Sequence, residues 1–110
     1  MHYEHPQKRS HMPILFSSTE DAHVLRVQVP GATRETIQLK VEDGILDIAY
    51  ENTMEMEGEE MKYSEWESEK RERRLELPKD ADVEAMTAHV DKGILTVRMG
   101  RKHAKTIEIQ

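Results

Sequence analysis

The chain has 110 residues, enough for one compact domain and too few for two. Apolar residues make up 36% and charged residues 35%, which limits the core to a thin one and favours a two-layer fold over a thick bundle. The net charge is -6, with acidic residues concentrated over 51–72, so no basic stripe is offered to phosphate and a nucleic-acid partner is excluded.

Without cysteine the chain can form neither disulfides nor thiolate metal sites, and this fits a reducing compartment, with a cytoplasmic location as the expectation. No stretch approaches the ~20 apolar residues of a membrane-spanning helix, and 1–11 lacks the apolar run of a signal peptide.

Residues 1–12 are polar, hold His2, His5 and His11, and show no strand or helix period; they read as a disordered arm. From Ile14 the chain alternates apolar and polar residues in short runs split by turn residues, as an antiparallel sheet with one buried face requires. Leu25, Val27 and Val29 alternate with Arg26 and Gln28 until Pro30-Gly31 ends the run. Ile37, Leu39 and Val41, then Leu46, Ile48 and Tyr50, flank Glu42-Asp43-Gly44 and predict a hairpin.

The segment 52–74 is acidic, carries Met54, Met56 and Met61, and has no clean period. Its helix-forming composition allows an exposed helix over 59–74, but Met61, Tyr63, Trp66 and Leu75 form no helical stripe. A loop followed by strands is the expectation, with Leu75 and Leu77 alternating around Glu76 before Pro78. Met86, Ala88 and Val90, Asp91-Lys92-Gly93, then Leu95, Val97 and Met99 predict a second hairpin.

The run Ala88-His89-Val90-Asp91-Lys92-Gly93-Ile94-Leu95 resembles the signature of the small heat shock proteins, carried here by Ala88, Gly93, Ile94 and Leu95. Further matches follow in the family's order: Val29-Pro30-Gly31, Val41-Glu42-Asp43-Gly44-Ile45-Leu46, Leu77-Pro78 and Ile107-Glu108-Ile109. The resemblance covers 18–109 and implies the α-crystallin domain, an all-β immunoglobulin-like sandwich of seven to eight antiparallel strands. Domain organisation follows as a short flexible N-terminal arm over 1–17, the α-crystallin domain over 18–99, and a C-terminal extension over 100–110.

What the resemblance implies for sites is specific. Ile107 and Ile109 form an Ile-x-Ile motif that in the family docks into a groove on a neighbouring dimer, here lined by Leu39, Val41, Met86, Ala88 and Val90. Ile107 and Ile109 can alternatively finish an intramolecular strand. The long stretch between Tyr50 and Pro78 matches members whose dimers exchange a strand, with Tyr63 and Trp66 as aromatic anchors and Arg73 in an interfacial ion-pair network. The alternatives are that Trp66 packs on its own subunit and that Arg73 is merely solvated.

The chain departs from the family at Glu69, Lys70 and Arg71, which stand where an aromatic residue and a glycine are usual, and in a short arm with only Tyr3 and Phe16 as aromatics. The implied function is that of an ATP-independent chaperone, a holdase that binds unfolding clients, with itself and such clients as partners, no cofactor and no enzymatic activity. Met54, Met56 and Met61 offer an adaptable client surface or act as filler in a loop.

A metal site on His2, His5 and His11 would sit on a segment without a rigid supporting shell. His23, His89 and His103 are isolated and read as surface residues. The remaining rivals are a monomeric p23-like co-chaperone or adaptor and an assembly subunit with little holdase activity of its own.

Overall fold

The computed structural model describes residues 12–51, 57–65, 70–103 and 108–110. Seven strands run in chain order: β1 (Ile14–Ser18), β2 (Ala22–Gln28), β3 (Ile37–Glu42), β4 (Ile45–Glu51), β5 (Lys70–Glu76), β6 (Ala81–Asp91) and β7 (Ile94–Arg101). They make two antiparallel sheets, one ordered β1-β2-β7-β6 and the other β3-β4-β5. No helix occurs among the described residues. Lys70 to Arg74 pair with β4, which settles the ambiguous composition there in favour of strand.

Both expected hairpins form, and each turns on two residues. Glu42 pairs with Ile45 across Asp43 and Gly44 (φ 52° and 75°), and Asp91 pairs with Ile94 across Lys92 and Gly93 (φ 51° and 75°). Positive φ at both central residues is the geometry whose twist matches that of the flanking strands. At Pro30-Gly31 a different turn closes, with Gly31 at φ 80° and the Ala32 amide donating to the Val29 carbonyl at 3.0 Å.

The period-two pattern sends one face of each sheet inward. Leu25 and Val27 of β2, Leu95, Val97 and Met99 of β7, and Leu46, Ile48 and Tyr50 of β4 are buried in one core with Val29, Leu75, Leu77 and Ala81. The outward face of the smaller sheet is charged, with Lys40, Asp47 and Arg74 in one cross-strand row and an Arg74 to Asp47 ion pair of 2.7 Å. Such an exposed pair is worth ~0–1 kcal/mol, so the thin apolar interior carries the stability.

The structure departs from the expected boundaries at both ends. Strand β1 begins within the 1–17 segment assigned to the arm, and Met12, expected in a disordered stretch, is 1% exposed inside the core. The Pro13 carbonyl accepts from the Gln28 amide at 3.0 Å and Arg73 Nη1 donates to the Met12 carbonyl at 2.8 Å, so hydrogen bonds to remote residues hold residues 12 and 13 in place.

At the other end β7 continues through Gly100 and Arg101, two residues past the expected limit. Gly100 faces the irregularity in β6 between Asp82 and Met86, where a Cβ on it would lie 3.1 Å from the Ala85 Cβ. The glycine read as a start of linker is instead a close strand contact.

Candidate functional site

Two of the four sheet edges bring together residues that the sequence singles out. Strand β3 is an edge of one sheet and β6 an edge of the other, so each has one flank without a partner strand. Their inward residues cannot be covered from both sides. Leu39, Val41, Met86 and Val90 are accordingly half-buried, packed against the core yet open to solvent, and Ala88, opposite Val97, is exposed. All five expected groove residues therefore lie on the inward faces of the two edge strands.

Val41 on β3 and Ala81 and Val83 on β6 line one cleft of about 490 Å³. Ile45, Leu77 and Pro78 contribute its remaining apolar wall, and Asp43, Glu76, Lys79 and Lys102 add polar and charged groups. Of the groove residues named from sequence only Val41 lines this cleft. Ile45, Leu77, Pro78, Ala81 and Val83 were missed because their alternation places them in strands and turns, while the cleft joins residues of separate elements. Val83, a large apolar residue 45% exposed, was the available signal.

In the signature, Gly93 takes the turn, its carbonyl accepting from the Val29 amide at 2.8 Å, and Leu95 returns to the core at 2% exposure. Ile94, half-buried, pairs with Gln28 and with Asp91. Of the Ile-x-Ile motif, Ile109 is 92% exposed, whereas Ile107 lies outside the described residues.

The expected interface residues separate in the same way. Met61 and Tyr63 are exposed in the 57–65 segment, and Tyr63 Oη donates only to the nearby Glu65 at 3.0 Å. Trp66, Met54, Met56, Tyr3, His2, His5 and His11 lie outside the described residues. Arg73 is half-buried and bonded to the Met12 carbonyl, which replaces the reading of a merely solvated side chain. Its position across from Ile48 puts it on the inward face of β5, an edge strand.

A polar cluster at one end of the sandwich was not anticipated. His23, expected at the surface, is 6% exposed because it follows the inward alternation of Leu25 and Val27. Its Nε2 lies 2.7 Å from Asp80 Oδ1 and its Nδ1 2.7 Å from Ser18 Oγ, and Arg101 Nε donates to Asp80 Oδ2 at 2.8 Å. The His23 and Arg101 hydrogen bonds outweigh the opposing cost of desolvation and hold the Asp80 carboxyl below its usual range, with lesser help from the Arg101 and His23 charges. The only sequence signal was a histidine at an inward position of a strand.

Serine, histidine and aspartate in this order also occur in nucleophilic catalysis, which needs in addition free donors beside the serine for a developing oxyanion. Here the neighbouring amides are spent. Thr19 N donates to the Ala22 carbonyl at 2.7 Å, and Asp21 N and Ala22 N both donate to Thr19 Oγ1, at 3.3 and 3.1 Å. Among the described residues, no group of three or more histidine, aspartate and glutamate side chains could hold a metal ion. Nor is any helix among them long and apolar enough to cross a membrane.

Two antiparallel sheets, a glycine-turned signature hairpin and half-buried edge strands define an α-crystallin-type sandwich. Residues 16–110 match the Hsp20/alpha crystallin family model, and the chain belongs to that family of small heat shock proteins. It is 36% identical over 98 residues to the 16.9 kDa class I heat shock protein 1 of Triticum aestivum, covering 86% of this chain and 65% of that protein. It is also 33% identical over 98 residues to the 18.0 kDa class I heat shock protein of Daucus carota, covering 86% and 62%. The chain thus spans slightly less than two thirds of the length of these relatives.

Among solved structures, the small heat-shock protein of Xylella fastidiosa superposes with a TM-score of 0.74 at 25% identity, covering 90% of this chain and 94% of that one. That protein is described as having a distinct high order structure. The hspA protein of Xanthomonas axonopodis superposes with a TM-score of 0.66 at 27% identity, covering 82% and 92%. The expected all-β sandwich fold is thereby shown, in seven strands.

Proposed function

We propose that this chain is an ATP-independent holdase, a non-enzymatic chaperone that binds unfolding proteins and keeps them from aggregating. The observation that carries this reading is the half-covered apolar row on each of the edge strands β3 and β6. Leu39, Val41, Met86 and Val90 present apolar side chains that the core only half covers, and Ile109 stands almost fully exposed on the same chain. In an extended segment Ile107 and Ile109 project to one side, so both can enter one groove. Burying two isoleucines contributes ~3–6 kcal/mol before the cost of ordering the segment, enough for a contact that forms and releases.

Docking on a second copy links dimers into larger assemblies and covers these rows. Release on stress opens them to exposed apolar segments of clients, and the net charge of -6 keeps the complexes soluble. The dimer itself forms through the 57–65 segment, where Met61 and Tyr63 are exposed, with Trp66 as a further anchor and Arg73 near the contact. Family membership and the superposition on other small heat shock proteins support a chaperone working through self-association in a soluble, cytoplasmic setting.

The test is light scattering of a heat-sensitive client with and without the protein, alongside native mass. Suppressed scattering and a mass above that of a dimer, falling in an Ile107→Ala, Ile109→Ala variant, are expected. Unchanged scattering with a monomeric mass in both proteins would leave the sandwich fold and remove the chaperone. Suppressed scattering with an unchanged mass in the variant would keep the holdase and remove the docking of Ile107 and Ile109.

A further inference from the structure

The Ser18, His23, Asp80 and Arg101 cluster joins three connections that are remote in sequence. Ser18 ends β1, and Thr19 to Asp21 form the turn into β2; Asp80 lies in the link between the two sheets; Arg101 is the last residue of β7. Arg101 is held from both sides. Its Nη1 donates to the Thr19 carbonyl at 2.9 Å and its amide to the Asp21 carbonyl at 3.1 Å, while its Nε reaches Asp80. One residue further, the Lys102 amide donates to the Asp80 carbonyl at 2.7 Å.

Asp80 is the hub of these contacts. One carboxylate oxygen is met by His23, the other by Arg101, and its backbone carbonyl takes the first amide beyond β7. His23 is buried and fixed on its other nitrogen by Ser18, so it can hold the carboxylate in one orientation. Phe16 packs beside the imidazole, with ring centroids 5.6 Å apart. Charge-assisted hydrogen bonds and a two-pronged guanidinium contact confer direction as well as strength. Core stability alone would be served by an apolar residue at the inward position of His23, so the polar chain serves geometry at the point where the chain leaves the sheet.

We propose that the chain of contacts from Ser18 through His23 and Asp80 to Arg101 is a clasp that fixes the direction in which the C-terminal segment leaves the sandwich, and thereby sets how readily copies exchange between assemblies. The proposal rests on the reading that Ile107 and Ile109 dock on a second copy. Lys102 lines the same cleft as Val41, Ala81 and Val83, so the residues fixed by the clasp end at that cleft. Loosening Arg101 and Lys102 widens the range of exit directions, and each docked segment is then held by a less preorganised tether.

The test compares the full chain with Asp80→Asn, which keeps the shape and removes the charge, and with Arg101→Gln at the partly exposed strand end. Site-resolved amide exchange and the rate of mixing between labelled and unlabelled assemblies are measured. Both variants are expected to exchange the Arg101 and Lys102 amides at least about tenfold faster, the factor carried by loss of a charge-assisted bond, with Ile48 and Val97 unchanged. Subunit mixing is expected to accelerate by a similar factor.

Unchanged exchange at Arg101 and Lys102 in the Arg101→Gln variant, which leaves the core intact, would overturn the clasp. Faster amide exchange with unchanged mixing, in a chain whose mass does fall in the Ile107→Ala, Ile109→Ala variant, would overturn the coupling alone. A mass that does not fall in that double variant fails the docking reading instead, whatever happens at Arg101.

Discussion

The inner strands and the edge strands of this sandwich are written in nearly the same alphabet but are covered differently. On β4, Leu46, Ile48 and Tyr50 alternate and are fully buried; on β3, Ile37, Leu39 and Val41 alternate just as regularly and are half-covered. The difference is position in the sheet. A strand flanked on both sides, with the opposite sheet above it, has its inward residues sealed, whereas an edge strand leaves one flank of each side chain bare. The alternation that builds the core thus also leaves, on the edge strands β3 and β6, apolar rows that are only half-covered.

That contrast is sharpened most by truncation at its two extremes. Ile48→Ala, in the centre of the small sheet, is expected to cost ~2–5 kcal/mol, read as a lower denaturant midpoint with little change in slope. Next in size is Gly93→Ala. At φ 75° the added methyl meets only ordinary contacts, the nearest atom being the Pro30 Cα at 3.8 Å, so the cost is the ~1–2 kcal/mol of a left-handed non-glycine residue. Leu15→Ala, on the exposed face of edge strand β1, is expected to change monomer stability by less than ~0.5 kcal/mol. A loss at Leu15 comparable to that at Ile48 would break the comparison.

The polar end of the sandwich adds a pH dependence. The folded-state pKa of Asp80 is depressed below 3.8, so its contribution is present above that ordinary value and is lost as pH falls through the folded-state pKa. The stability gap between the native chain and Asp80→Asn is therefore expected to be full at neutral pH and to shrink once acidification passes below 3.8, as measured by denaturant titration at a series of pH values. A gap that stays unchanged well below 3.8 would contradict a role for the ionised carboxylate.

The hairpins and the core rows were legible because turn chemistry and period two are local signals. Asp43-Gly44 and Lys92-Gly93 each place a glycine where only a positive φ closes the turn. What stayed hidden depends on neighbours remote in sequence. Nothing near Met12 announces burial, since its carbonyl is held by Arg73 from another strand. Histidine at position 23 reads as a surface residue until Asp80 and Ser18 are brought to its two nitrogens. The five expected groove residues were named through the family resemblance, whereas the cleft of Ile45, Leu77, Pro78, Ala81 and Val83 joins residues of separate elements, which no local alternation encodes.

The central claim is that the half-covered rows of β3 and β6 receive the C-terminal isoleucines of another copy. Because the chain has no cysteine, Ala88→Cys and Ile109→Cys introduced together provide a pair that only proximity can join. Mild oxidation followed by denaturing electrophoresis is expected to give a ladder of disulfide-linked chains, with each single variant yielding at most dimers. Monomers and dimers alone from the double variant, under conditions where the native mass exceeds a dimer, would contradict the account.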